Sequence, residues 1–426
     1  MQRNQPRTTR GPVPDAPGVP ARRAALQLLD AVLRRGLALE SALDKAASGL
    51  APNDRGLAHA IAAEALRRLP DLDALIDGAT QRPLPDDAKA RFALRIALVQ
   101  AMVLGTPGHA AISTVLPLVD GGPRKLVHGV FGTVTRSGAL LPEPPTLPDA
   151  VALRWHAAWG DQLIEDAELA IAAPPPLDLT LREPLDLEGA TSLASGHARL
   201  PAGTSVMELP GFEEGKFWVQ DIAASLPARL IGAGRGTALD LCAAPGGKTL
   251  QLASAGWDVT AVDVSESRLA RLRDNLDRTG LKAQIVAADL LLWKPEQQAD
   301  AVLLDAPCSA TGIFRRHPDV LHRVRPSLIA EMAELQGKLL HRASAWVKPG
   351  GTLVFATCSL EPQEGEAQLE RFLAHHPDYA VDPVTTDELP EGIAPREDGT
   401  LRLHPGMLAE HGRLDGFFIA RFRRNA

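Results

Sequence analysis

The feature that most constrains this chain is an alternation that begins at Thr237. Five short apolar runs, Thr237 to Leu241, Val259 to Val264, Gln284 to Ala288, Ala301 to Leu304 and Thr352 to Ala356, are separated by stretches with helical spacing. Strand, turn and helix in repetition predict a parallel sheet covered by helices on both faces, a doubly wound α/β domain. Such sheets bind ligands outside the carboxyl ends of their strands, so the chemistry is to be sought in the residues that follow each run.

The first run opens into Cys242-Ala243-Ala244-Pro245-Gly246-Gly247-Lys248-Thr249. A glycine-rich turn at that place lets the backbone approach a ligand closely. Two phosphate-binding readings fail. A Walker A loop needs a glycine where this chain has Cys242, and the glycines of a dinucleotide fingerprint must follow the strand, whereas Gly232, Gly234 and Gly236 precede it. The second run ends in Asp263, near the spacing at which an acid hydrogen-bonds ribose hydroxyls, and the third ends in Asp289, placed for an adenine amino group. An acid at a strand end often only caps a helix. Three in succession, with Asp305 after the fourth run, predict a nucleoside cofactor without required polyphosphate, and S-adenosylmethionine is the one expected.

The chain has 3 cysteines. Two of them, in Asp305-Ala306-Pro307-Cys308-Ser309 and Thr357-Cys358-Ser359, follow the fourth and fifth runs. A free cysteine is usually a small buried hydrophobe. Two that arrive at a ligand-binding edge beside a methyl donor suit covalent catalysis: a thiolate adding to C6 of cytosine makes C5 nucleophilic enough to take a methyl group. Asp305 would hydrogen-bond N3 or the amino group of the ring and stabilise the adduct. The residues alone leave the nucleophile open between Cys308 and Cys358. Their number and spacing exclude a zinc ribbon or a disulfide framework, and no metal is expected.

Elsewhere the pattern is helical. Ala25, Leu28, Leu29 and Val32 share one helix face, as do Phe92, Ile96, Val99 and Val103, and prolines at 52, 70, 83 and 85 divide the stretch. This predicts an all-α domain over residues 21–140, preceded by a basic, proline-rich disordered tail over 1–20. Residues 141–232, with Pro142, Pro144, Pro145 and Pro148 and then Pro174-Pro175-Pro176, read as a linker and a small α+β segment; 233–426 form the α/β domain.

At 426 residues with 45% hydrophobic and 23% charged, the chain cannot be wholly disordered. No apolar run is long enough for a membrane span or a signal peptide, so a cytoplasmic protein is expected. A net charge of −7 removes any argument for nucleic-acid binding from bulk electrostatics. The basic run Arg315, Arg316, His317, Arg323 and Arg325, just beyond Cys308, is the local candidate for RNA phosphates.

The strings Asp240 to Thr249, Leu304 to Gly312, Arg315 to Asp319 and Ala356 to Ser359 resemble RNA cytosine-5 methyltransferases of the RsmB/Sun/Fmu type. The match is close over the last 190 or so residues and extends more weakly over nearly the whole chain. Pro210-Gly211-Phe212 and Val219-Gln220-Asp221 are similar to the segment that leads into the family's catalytic domain, and residues 21–136 are similar to its NusB-like RNA-binding domain. The resemblance implies a Rossmann-like class I methyltransferase domain, with Cys358 as nucleophile and Cys308 assisting release of methylated product. It places S-adenosylmethionine against Cys242, Ala243, Ala244, Pro245, Gly246, Gly247, Lys248, Asp263, Asp289 and Asp305. It implies methylation of a cytosine in small-subunit rRNA by a chain acting as a monomer, with RNA contacts also in the middle segment.

The sequence departs from the family where it has Leu179-Thr180-Leu181-Arg182 in place of an Arg-Val/Ile-Asn strand, and Gly365 in place of a common asparagine. These departures keep a tRNA substrate as the alternative. A non-enzymatic RNA-binding assembly factor is the alternative from another class, and it leaves the two strand-end cysteines without a role.

Overall fold

A computed structural model describes residues 15–426. The described residues up to Thr146 form one compact unit and Leu147–Ala426 a second.

The first unit is helical: α1 (Val19–Leu33), α2 (Leu39–Ala46), α3 (Pro52–Arg67), α4 (Leu69–Gly78), α5 (Lys89–Met102), α6 (Gly108–Val115) and α7 (Gly122–Ser137). Pro20, Pro52, Pro70 and Pro123 stand in first turns, where their missing N–H has no partner to lose. The periodic residues Leu28, Leu29, Val32, Phe92, Ile96 and Val99 meet in a single core. Arg95 reaches out of that core to grip both oxygens of Asp73 at 2.8 and 2.7 Å. The expected tail ends earlier than residue 20, because Gly18 and Pro20 already start α1 at Val19; residues 1–14 lie outside the described residues.

The second unit begins with α8 (Asp149–Trp159) and α9 (Asp161–Ile171), followed by strands β1 (Leu177–Leu181), β2 (His197–Leu200) and β3 (Phe217–Val219) in an antiparallel sheet of order β2-β1-β3. Then come α10 (Ile222–Arg229), β4 (Thr237–Leu241), α11 (Gly247–Ser254), β5 (Asp258–Asp263), α12 (Glu266–Thr279), β6 (Gln284–Ala287), β7 (Ala299–Asp305), α13 (Val320–Arg323), α14 (Pro326–Ser344), β8 (Val347–Thr357), α15 (Glu366–His375), β9 (Tyr379–Val381), β10 (Leu401–Leu403) and β11 (Phe417–Arg424). Within this unit the small sheet lies before residue 232 and the large sheet after it. Trp155 of α8 and Ile171 of α9 share an apolar cluster with Phe314, Val320 and Leu360, while β1 to β3 bury Leu179, Ala198, Leu200 and Phe217 in a cluster of their own.

Strands β6-β5-β4-β7-β8 are parallel in that order. They are buried on both faces, which explains their continuous apolar runs: Leu239, Val302, Leu304 and Leu353 pack to one side, Ala238, Ala301, Leu303 and Val354 to the other. Strand order reverses between β4 and β7, and the crevice at that switch point is the favoured ligand site. Beyond β8 the sheet continues antiparallel through β11, with β9 and β10 paired to it. These three strands go beyond the five runs.

Candidate active site

The turn between β4 and α11 is held by its own backbone. Cys242 has φ 62° and Gly246 φ 110°, both left-handed, and a Cβ at Gly246 would lie 2.3 Å from Leu272 Cδ1. Ala243 N–H donates to the Val262 carbonyl at 3.1 Å, and Ala244 N–H to Asp263 Oδ2 at 3.1 Å. The other oxygen of Asp263 accepts from Ser265 N–H at 2.8 Å, so this acid ties the ends of β4 and β5 together while facing the turn. Pro245 follows a cis peptide bond. Asp289, just after β6, is exposed; its Oδ1 accepts from Leu291 N–H at 2.9 Å.

Under the turn, Thr249 donates to Asp240 Oδ2 at 2.5 Å, while Asp240 Oδ1 is buried with no hydrogen-bond partner. Burial pushes the Asp240 carboxyl up to about 7, against the pull of that hydrogen bond and of Lys248. Lys248 Nζ lies 2.7 Å from Asp305 Oδ2 at the end of β7. Burial disfavours its charge most, but Asp305, Asp240 and Cys358 together outweigh burial and raise the ammonium above its ordinary value. Burial first, then Asp305 and Asp263, push the Cys242 thiol up, so this cysteine stays protonated beside the turn.

The two remaining thiols meet. Cys308 Sγ and Cys358 Sγ are 3.3 Å apart, on the turns that leave β7 and β8. The hydrogen bond to Cys358 is the largest cause, and burial the next, that pushes the Cys308 thiol well above its ordinary range; the Glu364 carboxylate adds to this. Lys248, by contrast, is attracted to Cys358. A nearby cation favours the thiolate, and a buried site beside an anion disfavours it. The two thiols thus have different neighbours, Lys248 on the side of Cys358 and Glu364 on the side of Cys308.

Next to Lys248 and Asp305 opens a cavity of about 340 Å³. Ala243, Ala244, Pro245 and Gly247 form one wall, and Gln220, Asp221, Arg316 and Asp415 are among the residues facing them. A Cβ at Gly247 would approach the Gln220 side chain to 3.3 Å, so the glycine keeps the cradle open. With the Asp305 and Asp221 carboxylates and Gln220 among its lining residues, the cavity offers acceptors for a ligand ammonium, which fits the amino-acid portion of S-adenosylmethionine.

The basic run is put to a different use from the one expected. Arg315 is 1% exposed, with Nη1 3.3 Å from Asp415 Oδ1 and Nη2 2.6 Å from the Gly412 carbonyl. Arg316 donates to Asp221 Oδ2 at 2.7 Å and to the Pro176 carbonyl at 3.2 Å; Arg323 donates to Asp319 at 2.8 Å. Two acids distant in sequence, Asp221 and Asp415, convert Arg315 and Arg316 into internal ion pairs, and this corrects their assignment to RNA phosphates. His317 lines the cavity, and Arg325 is exposed at the start of α14.

Asp240, Asp415 and Glu364 escaped sequence reasoning, since each is an acid inside or beside an ordinary element. Burial pushes the Asp415 carboxyl up to about 7, with Asp221 adding and Arg316 opposing. The two family departures have local causes. Thr180 donates to Gln220 at 2.8 Å behind the cavity, and at Gly365 a Cβ would meet Arg402 Nη2 at 2.4 Å and Phe418 Cγ at 2.7 Å.

Residues 232–423 match the family model described as 16S rRNA methyltransferase RsmB/F, and residues 19–135 match the NusB family. The ribosomal RNA small subunit methyltransferase B of Salmonella arizonae is 35% identical over 94% of this chain and 97% of its own length. That of Xanthomonas campestris pv. campestris is 35% identical over 87% and 91%. Among solved structures, PH0851 shares the fold over 98% of this chain and 100% of its own, with a TM-score of 0.73 at 22% identity. A methyltransferase homolog protein from Pyrococcus horikoshii covers 69% of this chain and 98% of its own, with a TM-score of 0.53 at 27% identity.

Fold and cofactor turn together define an S-adenosylmethionine-dependent methyltransferase with a NusB-type helical domain ahead of it. The chain belongs to the RsmB/F family of 16S rRNA methyltransferases. Among the described residues, no helix is long and apolar enough to cross a membrane.

Proposed function

We propose that this chain methylates C5 of a cytosine in small-subunit rRNA through a covalent bond between Cys358 and C6 of the base. The observation that carries this reading is the pair of thiols 3.3 Å apart, beside an acid and a cation, at the edge where the cofactor turn ends. Cys358, attracted to Lys248, is the nucleophile; its attack on C6 moves electron density to C5. Asp305 hydrogen-bonds the base edge and stabilises the adduct. Residues 242–248, Asp263, Asp289 and Asp305 hold S-adenosylmethionine, which supplies an electrophilic methyl group. Afterwards a base, solvent water if no side chain serves, takes the C5 proton, the C–H electron pair restores the C5–C6 double bond, and the C6–S bond breaks to return its pair to Cys358. Cys308, kept as a thiol, assists that release.

The target must be turned out of any stack to reach the thiols, so an unpaired or opened cytosine is the substrate. The NusB-type helices supply further RNA contact, Arg325 and His317 extend it at the catalytic domain, and the protein acts in the cytoplasm as a monomer. The test is transfer of labelled methyl from S-adenosylmethionine to unmodified small-subunit rRNA, with tRNA in parallel and the product nucleoside identified. 5-Methylcytidine in rRNA is expected, with turnover reduced about a thousandfold or more in Cys358→Ala. Methylation at another atom, or full activity of that variant, overturns the reading.

A further inference from the structure

Between the two cysteine turns lies a carboxylate that the reaction just described does not use. Glu364 ends the 3-10 turn Pro362–Glu364 after β8 and is completely buried. Its Oε1 accepts from Ser309 N–H at 2.8 Å and from Gln336 Nε2 at 3.1 Å. Its Oε2 accepts from the hydroxyls of Ser309 and Ser359, both at 2.5 Å. The Glu364 carbonyl accepts from Thr357 Oγ1 at 3.0 Å, and Gln336 Nε2 also donates to the Pro307 carbonyl at 2.9 Å. The residues on either side of Cys308 and of Cys358 are therefore bonded to this carboxylate, to its backbone or to its amide partner.

We propose that Glu364 is the positioning residue of the thiol pair: by bridging Ser309 and Ser359 it fixes the separation of Cys308 from Cys358 and thereby the release step. The assignment of release to Cys308 rests on the reading above; the bridge itself does not. A buried carboxylate costs desolvation unless donors satisfy it, and here four converge on it from both turns and from α14. The two serine hydroxyls also lie 3.3 Å apart, and Glu364 Oε2 is the acceptor that both of them share. Burial raises the Glu364 carboxyl against the pull of Ser309, Ser359 and Gln336, and its charged form helps to keep Cys308 a thiol.

Two measurements on the full chain test this. Phenylarsine oxide bridges two thiols only when they are neighbours, and needs no RNA. Wild type is expected to bind it in a bridge that Cys308→Ala abolishes, Glu364→Ala weakens, and isosteric Glu364→Gln retains, because the serine hydroxyls can rotate to accept from the amide. On RNA, Cys308→Ala is expected to accumulate a covalent adduct, seen as a shifted band on a denaturing gel. Glu364→Ala is expected to accumulate the same adduct, with turnover down at least about tenfold and cofactor affinity within about twofold, as a displacement near 1 Å would produce.

Wild-type release and arsenical bridging in Glu364→Ala overturn the proposal. Should that variant lose cofactor binding, Ser309→Ala/Ser359→Ala, which leaves the carboxylate its Ser309 N–H and Gln336 donors, carries the same expectation and the same refutation. If Cys308→Ala forms no adduct and turns over fully, the release assignment fails, and the arsenical result alone decides the bridge.

Discussion

The turn after β4 and the paired turns after β7 and β8 meet at one edge of the sheet, yet they are held by different means. The first is held by backbone: left-handed Cys242 and Gly246, and N–H groups given to the Val262 carbonyl and to Asp263. The second pair is joined by one backbone bond, Gly312 N–H to the Cys358 carbonyl at 3.0 Å, and otherwise by buried side chains. Glu364 and Gln336 bind them from beneath, and α8 anchors the chain just beyond Cys358: Trp155 Nε1 donates to Glu361 at 3.0 Å, Arg154 to both oxygens of the same acid at 2.9 and 3.1 Å, and Trp159 Nε1 to the Leu360 carbonyl at 2.8 Å. The difference teaches where each kind of damage should appear: backbone changes in the first turn, side-chain changes in the second.

The largest expected effect is that of Gly246→Val. The substituent requires φ near 110° in a β-branched residue and a Cβ 2.3 Å from a packed leucine. Strain and overpacking together cost about 4 kcal/mol. Thermal unfolding should show that loss, and titration calorimetry should show cofactor affinity down at least about tenfold. Unchanged affinity would mean that the turn does not carry the cofactor.

Next is a pH effect seated under the same turn. The Asp240 carboxyl titrates near 7 in the folded chain and in the ordinary carboxylate range when unfolded. Between those values the folded state holds the extra proton, so this group makes stability fall as pH rises, by at most about 1.4 kcal/mol per unit. Asp240→Asn removes that slope. Urea denaturation of both proteins from pH 4 to pH 7.5 should give curves that diverge upward in pH, the variant gaining on the wild type; parallel curves would refute the assignment.

The comparison also explains what the sequence discloses. The glycine turn, Asp263 and the five parallel strands are written in contiguous residues, because their geometry is set by φ, by strand period and by glycine's missing side chain. Strand direction is not local, so β9 to β11 and the pairing of β11 with β8 were hidden. The partners of Arg315 and Arg316 lie about 95 to 100 residues away, and only the folded chain shows that a basic run beside the active site is spent on Asp221 and Asp415. The cysteines are legible as a pair at one edge; their different surroundings are not, since these come from Lys248 on one side and Glu364 on the other.

Trp155→Phe sharpens the second half of the comparison. It removes one hydrogen bond to a wholly buried carboxylate and keeps most of the apolar contact with Phe314, so a loss of about 2 kcal/mol is expected. If α8 holds the turn beyond Cys358, single-turnover methyl transfer should slow while cofactor affinity stays unchanged. A change in affinity with normal transfer would place the effect at the wrong turn.

The smallest expected effect, Ser265→Ala, separates backbone from side chain within one residue. The Ser265 hydroxyl caps α12 by accepting from Arg268 N–H at 3.4 Å, while its backbone N–H donates to Asp263 Oδ1 at 2.8 Å. Alanine removes the first bond and keeps the second. Loss of the cap costs about 0.5–1 kcal/mol, visible as a small drop in denaturation midpoint. Cofactor affinity should not move, because Asp263 retains both of its backbone donors, Ala244 and Ser265. A fall in affinity larger than the stability loss would show that the acid is aimed by the cap, and that the first turn depends on side chains as the second does.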